Sequence, residues 1–203
     1  MIKFVKFIIN IVVCHFLYRV RYVNKEAEEN LDKCLICPNH SNTLEPLWIY
    51  AKTDNLWIMA KAELFKYKFF GYLFRKCHVF PIRRGEKDVK SVMHAINIFS
   101  EGEKRKLLIF PEGKRIKKDK EKGIAKVGAA YIAYKANVPI IPVYLTKNAR
   151  LFSKVYVIYG KPVYVTKEIA EDKAKLNEFA KSMLDEAYKL KGDYEKKNNV
   201  KIK

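Results

Sequence analysis

In the segment CLICPNHSNTLEPLWIY (residues 34–50) a histidine, His40, follows a short apolar run, and a carboxylate, Glu45, comes five residues later as a second apolar run begins. Imidazole takes a proton from an alcohol near neutral pH when one ring nitrogen is free and aimed. A carboxylate on the other N–H fixes the tautomer and stabilises the imidazolium as it forms. A loop leading into a helical turn folds back far enough for residues five apart to meet. The plainer reading is a capped helix start: Ser41, Asn42 and Thr43 are all N-cap types, glutamate suits a first turn, and Pro46 fits a helix start. Capping leaves His40 unexplained, because imidazole is a weak cap. No G-x-S-x-G nucleophile elbow is present, so a His–Glu dyad would activate a substrate hydroxyl directly. Cys37 lies near enough to be considered as a nucleophile, but strand alternation argues against it.

Such a pair needs a strand to deliver the histidine and a helix to begin at the acid. The chain reads as an α/β protein of that kind from residue 31 onward. LICP and NLWIMAK read as strands, with PLWIYAK a short helix between them. EKDVKSVMHAINIFSEG places Val89, Val92, Ile96 and Phe99 on one helical face, and Gly102 lies just past its end. KLLIFPEG is a strand running into a Pro-Glu-Gly turn, AKVGAAYIAYKAN a small-residue helix, and VPIIPVYL and KVYVIYGKPVYV are strands. A last amphipathic helix carries Leu176, Phe179, Met183, Leu184, Ala187 and Tyr188 on one face, and the basic tail KKNNVKIK is expected to fray. There is no repeat, no Gly/Ser linker and no composition break after residue 31. The expected fold class is a single α/β domain over 25–203, with a mostly parallel central sheet flanked by helices. Residues 1–24 are expected to form an N-terminal helix; it either packs on the domain or, as its flanking cations and aromatics favour, lies at a membrane interface.

The chain has 203 residues, enough for one domain with a full core. Its 41 Lys+Arg against 22 Asp+Glu give a formal charge of +19, a field that recruits anions of any kind. The 13 Tyr, 12 Phe and 2 Trp, many interleaved with Lys and Arg, suit a lipid headgroup region, where rings and cationic stems both find favourable depth. Nucleic-acid binding is the rival for this charge, but no helix-turn-helix, zinc finger or RNP-like run is present and the aromatics fall largely within apolar segments. The four cysteines read as buried thiols. Cys34 and Cys37 point to opposite faces of one strand, and no second Cys/His pair follows at zinc spacing, so no metal is expected.

NHSNTLEP resembles the H-x4-D/E motif of the glycerolipid acyltransferases, the family containing 1-acylglycerol-3-phosphate O-acyltransferase. The resemblance runs in the family's order through AKAELF (60–65), VFPIRRGE (79–86), IFPEGKR (109–115), AKVGAAYIA (125–133), VPIIPVYL (138–145) and YGKPV (159–163). It covers residues 30–165, and several ordered motifs are far more specific than any one. Position 45 departs from the commoner aspartate, so the longer arm must bend or the turn must open.

This resemblance implies transfer of an acyl chain from an acyl thioester, on acyl carrier protein or coenzyme A, to the hydroxyl of lysophosphatidate, with no other cofactor. A second lysophospholipid or glycerol-3-phosphate is the alternative acceptor, and a catalytically silent lipid binder the remoter one. It implies His40 as base and Glu45 as its orienter. Arg84, Arg115 and Lys61 would grip the phosphate, Glu112 would hold the acceptor or brace an arginine, and Gly113 would let backbone approach the ligand. KYKFFGYLFRK (66–76) and the N-terminal segment, too short to span a bilayer, are expected to dock the site on an anionic membrane surface, at the cytoplasmic face.

Overall fold

The computed structural model describes residues 1–83, 88–116 and 122–202. A helix, α1 (Ile2–Ile9), continues as wider π-helical turns over Asn10–Leu17. Then come β1 (Arg19–Val23), α2 (Glu26–Glu29), β2 (Lys33–Pro38), α3 (Glu45–Tyr50) and β3 (Leu56–Lys61). A 3-10 turn (Ala62–Phe65) leads to α4 (Lys68–Lys76), β4 (Val79–Ile82), α5 (Val89–Asn97) and β5 (Arg105–Leu108). The chain closes with α6 (Gly128–Ala136), β6 (Ile140–Leu145), β7 (Lys154–Tyr159), α7 (Lys167–Glu171) and α8 (Lys173–Asn198).

The strands form one seven-stranded sheet in the order β1-β7-β6-β2-β5-β3-β4. All neighbouring pairs are parallel except β6–β7, so the sheet is mostly parallel and flanked by helices, as the alternation of runs implied. Central strands are covered on both faces and read as continuous apolar runs rather than alternating ones. β2 shows this: residues 34–38 are all buried, with Ile36 and Cys34 in the core under α3 and the N-terminal helix, and Leu35 and Cys37 in the core under α5, α6 and α8. Because β3, β4 and β5 lie to one side of β2 and β6 and β7 to the other, the carboxyl end of β2 is a topological switch point, where open α/β sheets bind ligands.

Three expectations need correction. The N-terminal helix ends at Leu17 rather than near residue 24. The segment RVRYV alternates, with Val20 and Tyr22 turned to the core and Arg19 and Arg21 exposed, which is a strand period, and it pairs in parallel with residues 154–158. In and just past α5, Val92, Ile96 and Phe99 pack on the core as expected, together with Ala95 and Ile98, but Val89 is exposed. The basic tail does not fray: α8 continues to Asn198, Ile202 is buried, and its N–H donates to Glu195 Oε1 at 2.6 Å.

The N-terminal helix sits on the domain by one side only. Ile2, Val5, Ile9 and Leu17 pack on the core, and Lys6 bonds the Thr53 carbonyl and the Asp54 carboxylate (2.9 Å). Phe4, Phe7, Ile8, Ile11, Val12 and Phe16 remain exposed on the other side. Among the described residues no helix is long and apolar enough to cross a membrane.

Candidate active site

His40 lies just past the carboxyl end of β2, and nearly all its polar atoms are committed. Asn39, fully buried, carries the sheet one step further: its amide accepts from Leu145 N (2.7 Å) and donates to Leu145 O (3.0 Å). The His40 N–H donates to Glu112 Oε2 (2.7 Å) and its carbonyl accepts from Ile116 N (2.8 Å), tying the turn to the loop after β5. The ring lies against Phe110, centroids 4.0 Å apart and planes 31° apart. Nδ1 faces Glu45 Oε2 at 2.7 Å. Among the described residues Nε2 has no partner, and His40 lines a cavity at the sheet's carboxyl edge.

Glu45 is the first residue of α3 and has no exposed surface. Its longer arm folds back along the turn, where Oε1 accepts from the Ser41 hydroxyl (2.7 Å) and both oxygens accept from Ser41 N (3.0 and 2.9 Å). The capping chemistry is present as well: Leu44 N donates to Asn42 Oδ1 (2.9 Å), an Asx turn that closes the loop and aims Glu45 at His40. Cap and dyad are therefore one structure. A buried carboxylate anchored by the Ser41 N–H and O–H fixes the histidine with Nδ1 as donor and leaves Nε2 as a lone-pair base toward the cavity.

That cavity is about 890 Å³. Its walls carry Lys61, Lys114, Arg115, Lys126 and Arg150 and, among the described residues, no carboxylate. Ile58, Met59, Leu64 and Phe110 supply an apolar side, and Met59 and Phe110 also border an adjoining apolar cavity of about 190 Å³. A base at the edge of a cationic, half-apolar cleft is equipped to deprotonate a hydroxyl on an amphipathic anion.

A family model described as Acyltransferase matches residues 19–146. The chain belongs to the acyltransferase family. A 1-acyl-sn-glycerol-3-phosphate acyltransferase of Streptococcus pneumoniae is 31% identical over 154 residues, 71% of this chain and 56% of that protein. One of Bacillus subtilis is 33% identical over 111 residues, 52% of this chain and 53% of that protein. The chain thus spans a little over half the length of these curated relatives. In fold it resembles the 1-acyl-sn-glycerophosphate acyltransferase PlsC of Thermotoga maritima, with a TM-score of 0.70 at 18% identity, over 93% of this chain and 78% of that one.

In this family member the structure brings His40, Glu45, Lys61, Gly113 and Arg115 to one place. Lys61, at the end of β3, lines the cavity and pairs with Glu63 at 2.8 Å. Arg115 lines it too, donating to the Thr43 hydroxyl. Gly113 adopts φ +66°, a left-handed conformation that favours glycine, and a Cβ there would press on the Lys126 side chain at 3.1 Å. Arg84 lies outside the described residues.

Glu112 is placed differently from expectation. It is 2% exposed and absent from the cavity wall, and no described arginine bonds it. Its carboxylate instead accepts from the N–H groups of His40 and Gly123 (2.9 Å) and from the Tyr188 hydroxyl (3.2 Å). It thereby ties the His40 turn to the segment at Gly123 and to α8. Burial holds its carboxyl above the usual range, against the pull of those donors. Burial likewise pushes the Cys34 thiol up to about 12 and raises that of Cys37, so neither is poised as a nucleophile.

Several members of the site were not singled out from the sequence. Ser41 read only as a cap, Tyr188 only as one position of an apolar helical face, and Phe110, Lys126 and Arg150 not at all. For Lys126 the AKVGAAYIA block was a usable signal. Tyr188 reaches Glu112 from α8, 76 positions away, and nothing local to it marks that contact.

Proposed function

We propose that this acyltransferase moves a fatty acyl chain from an acyl thioester to the free hydroxyl of 1-acylglycerol-3-phosphate, forming phosphatidic acid. One observation carries the reading: a His40–Glu45 pair at 2.7 Å, with Nε2 unpartnered among the described residues, beside a cavity lined by cations and apolar side chains. Nε2 takes the proton as the acceptor oxygen attacks the thioester carbonyl, and Glu45 stabilises the imidazolium. The new C–O ester bond forms, the C–S bond breaks, and the imidazolium returns its proton to the departing thiolate. A thioester is reactive enough that no acyl-enzyme is needed. Arg115 and Lys61, with Arg84, grip the acceptor phosphate, and the apolar side of the cleft receives an acyl chain.

The protein works on lipid at a membrane surface, at its cytoplasmic face. Exposed Phe4, Phe7, Ile8 and Phe16 of the N-terminal helix support this. So do Tyr67 and, on α4, Phe69, Phe70 and Tyr72, beside Lys66, Lys68 and Lys76. Cationic stems beside exposed rings suit an anionic interface.

The test is a matrix of acyl-carrier-protein and coenzyme A donors against lysophosphatidate, other lysophospholipids and glycerol-3-phosphate, using pure wild-type protein and His40→Ala. Phosphatidate made by the wild type and not by the variant is the expected result. Undiminished activity in the variant would refute the dyad, and preference for another acceptor would refute the substrate.

A further inference from the structure

The cations around the cavity are unevenly placed with respect to His40. Lys114 and Arg115 lie on the loop after β5, Lys126 is tied to that loop by its N–H on the Pro111 carbonyl (2.9 Å), and Lys61 ends β3 one strand further. All four are on one side of β2. Arg150 alone comes from the other side, on the loop between β6 and β7. With strands about 4.8 Å apart, the groups on β6 and β5 flank the catalytic turn from opposite directions.

The loop that carries Arg150 is held at both ends of its approach. Asn148 N donates to the Ser41 hydroxyl (3.1 Å), and Asn42 Nδ2 donates to the Ala149 carbonyl (3.4 Å), so the loop is bonded to the two residues after His40. Beyond Arg150, Phe152 N donates to the Leu17 carbonyl (2.6 Å), and the Ser153 N–H and hydroxyl both donate to the Arg150 carbonyl (3.2 and 2.7 Å). Arg150 is exposed and lines the cavity, and no described acid pairs with it. Holding the backbone of the loop in this way removes part of the ordering cost of bringing its arginine to an anion beside the histidine.

The reaction of the preceding section, on which this inference rests, needs two anionic reactants at one imidazole. The acceptor brings a phosphomonoester, matched by the group on the β5–β3 side. The acyl donor, whether protein-borne or on coenzyme A, presents its thioester at the end of a phosphopantetheine arm that carries its own phosphate. Attack requires hydroxyl and thioester to converge on Nε2 from different directions. We propose that Arg150 is a second anion subsite, on the β6 side of His40, that takes the phosphate of the donor's phosphopantetheine arm.

The test compares wild type with Arg150→Met and Arg150→Lys on four acyl donors, in detergent-dispersed lysophosphatidate: pantetheine (no phosphate), phosphopantetheine, coenzyme A and acyl carrier protein. Loss of one charged contact should raise KM about 10-fold in Arg150→Met for the three phosphorylated donors. KM for acyl-pantetheine and for lysophosphatidate should not move, and Arg150→Lys should recover part of the loss. An equal rise with acyl-pantetheine overturns the proposal, as does a rise for lysophosphatidate alone. A rise confined to acyl carrier protein assigns Arg150 to the carrier surface, and one confined to coenzyme A to its nucleotide; either overturns it. Binding of free phosphopantetheine by calorimetry is the readout independent of turnover. Wild type should bind it about 10-fold more tightly than Arg150→Met, and equal binding, or none by wild type, overturns the subsite whatever acyl transfer is measured.

Discussion

Glu28 and Glu45 are both fully buried, at opposite ends of the same sheet. Glu28, in α2 ahead of the amino end of β2, meets Lys106 Nζ of β5 and Lys25 Nζ (3.0 Å), and Lys106 also donates to the Glu28 carbonyl (2.9 Å). Its partners are dedicated cations, and the cluster does not border the catalytic cavity. Glu45, beyond the carboxyl end of β2, meets an imidazole and a serine, and the imidazole opens on the cavity. Both carboxylates satisfy the rule that a buried charge must be paired. Burial of an acid therefore does not mark a functional site. What marks it is a partner that keeps a lone pair unused beside space for a substrate.

Breaking each pair should separate the two kinds of effect. His40→Ala should lower acyl transfer per folded molecule about 10³-fold or more, since a positioned base contributes on the order of 10²–10⁴-fold. Glu45→Gln should cost about 10²-fold or more in kcat, because an amide can hold Nδ1 in the wrong tautomer. Glu28→Gln should do the opposite. It strands Lys106, 8% exposed, and should destabilise the fold by about 3–5 kcal/mol in urea titrations while leaving kcat per folded molecule unchanged. If Glu28→Gln lost activity in proportion to Glu45→Gln at equal folded fraction, the contrast between the two ends would fail.

Smaller effects sharpen the comparison. Ser41→Ala removes one of the donors to Glu45 and should cost about 1 kcal/mol of transition-state stabilisation, roughly 5-fold in kcat/KM. Glu112 gives a pH signature. Its carboxyl is held up by burial, so the folded state binds its proton more readily than the unfolded chain. Its contribution to stability is fully present below the ordinary carboxylate pKa and is lost as pH rises through the raised value. Glu112→Gln binds no proton there, so its urea midpoint relative to wild type should rise from about pH 4 to about pH 8. A gap that widens with pH would contradict the burial argument.

Docking can be probed in the same spirit. Removing residues 1–24 would delete β1 from the sheet, so the informative variants are Phe4→Ser with Phe7→Ser, and Phe69→Ser with Phe70→Ser. Each pair should weaken flotation with anionic vesicles while leaving activity on detergent-dispersed substrate near wild type. Unchanged flotation in all four positions combined would remove the membrane reading.

The sheet was legible in the sequence because continuous apolar runs such as LICP and IIPVYL are what strands covered on both faces require. The order of the basic tail is not legible in the sequence because Ile202 is a single apolar residue in a charged stretch, and only its packing with Tyr144, Ile158 and Tyr188 buries it. The N-terminal helix was read too long because RVRYV alternates over only five residues, too few to separate strand from helix end without its partner strand β7.

The site divides along the same line. The sequence by itself determined the His40–Glu45 pair, because five residues across one turn is a local distance and the types state the chemistry. It also put Lys61 at a strand end. Only the tertiary structure decided that Glu112 faces inward to the His40 N–H, that Tyr188 reaches it from α8, and that Arg150 flanks the base from the β6 side. Those contacts join residues 72, 76 and more than 100 positions apart. Such contacts are set by strand order and by how the loops at the sheet's carboxyl edge bond to one another, which no local pattern encodes.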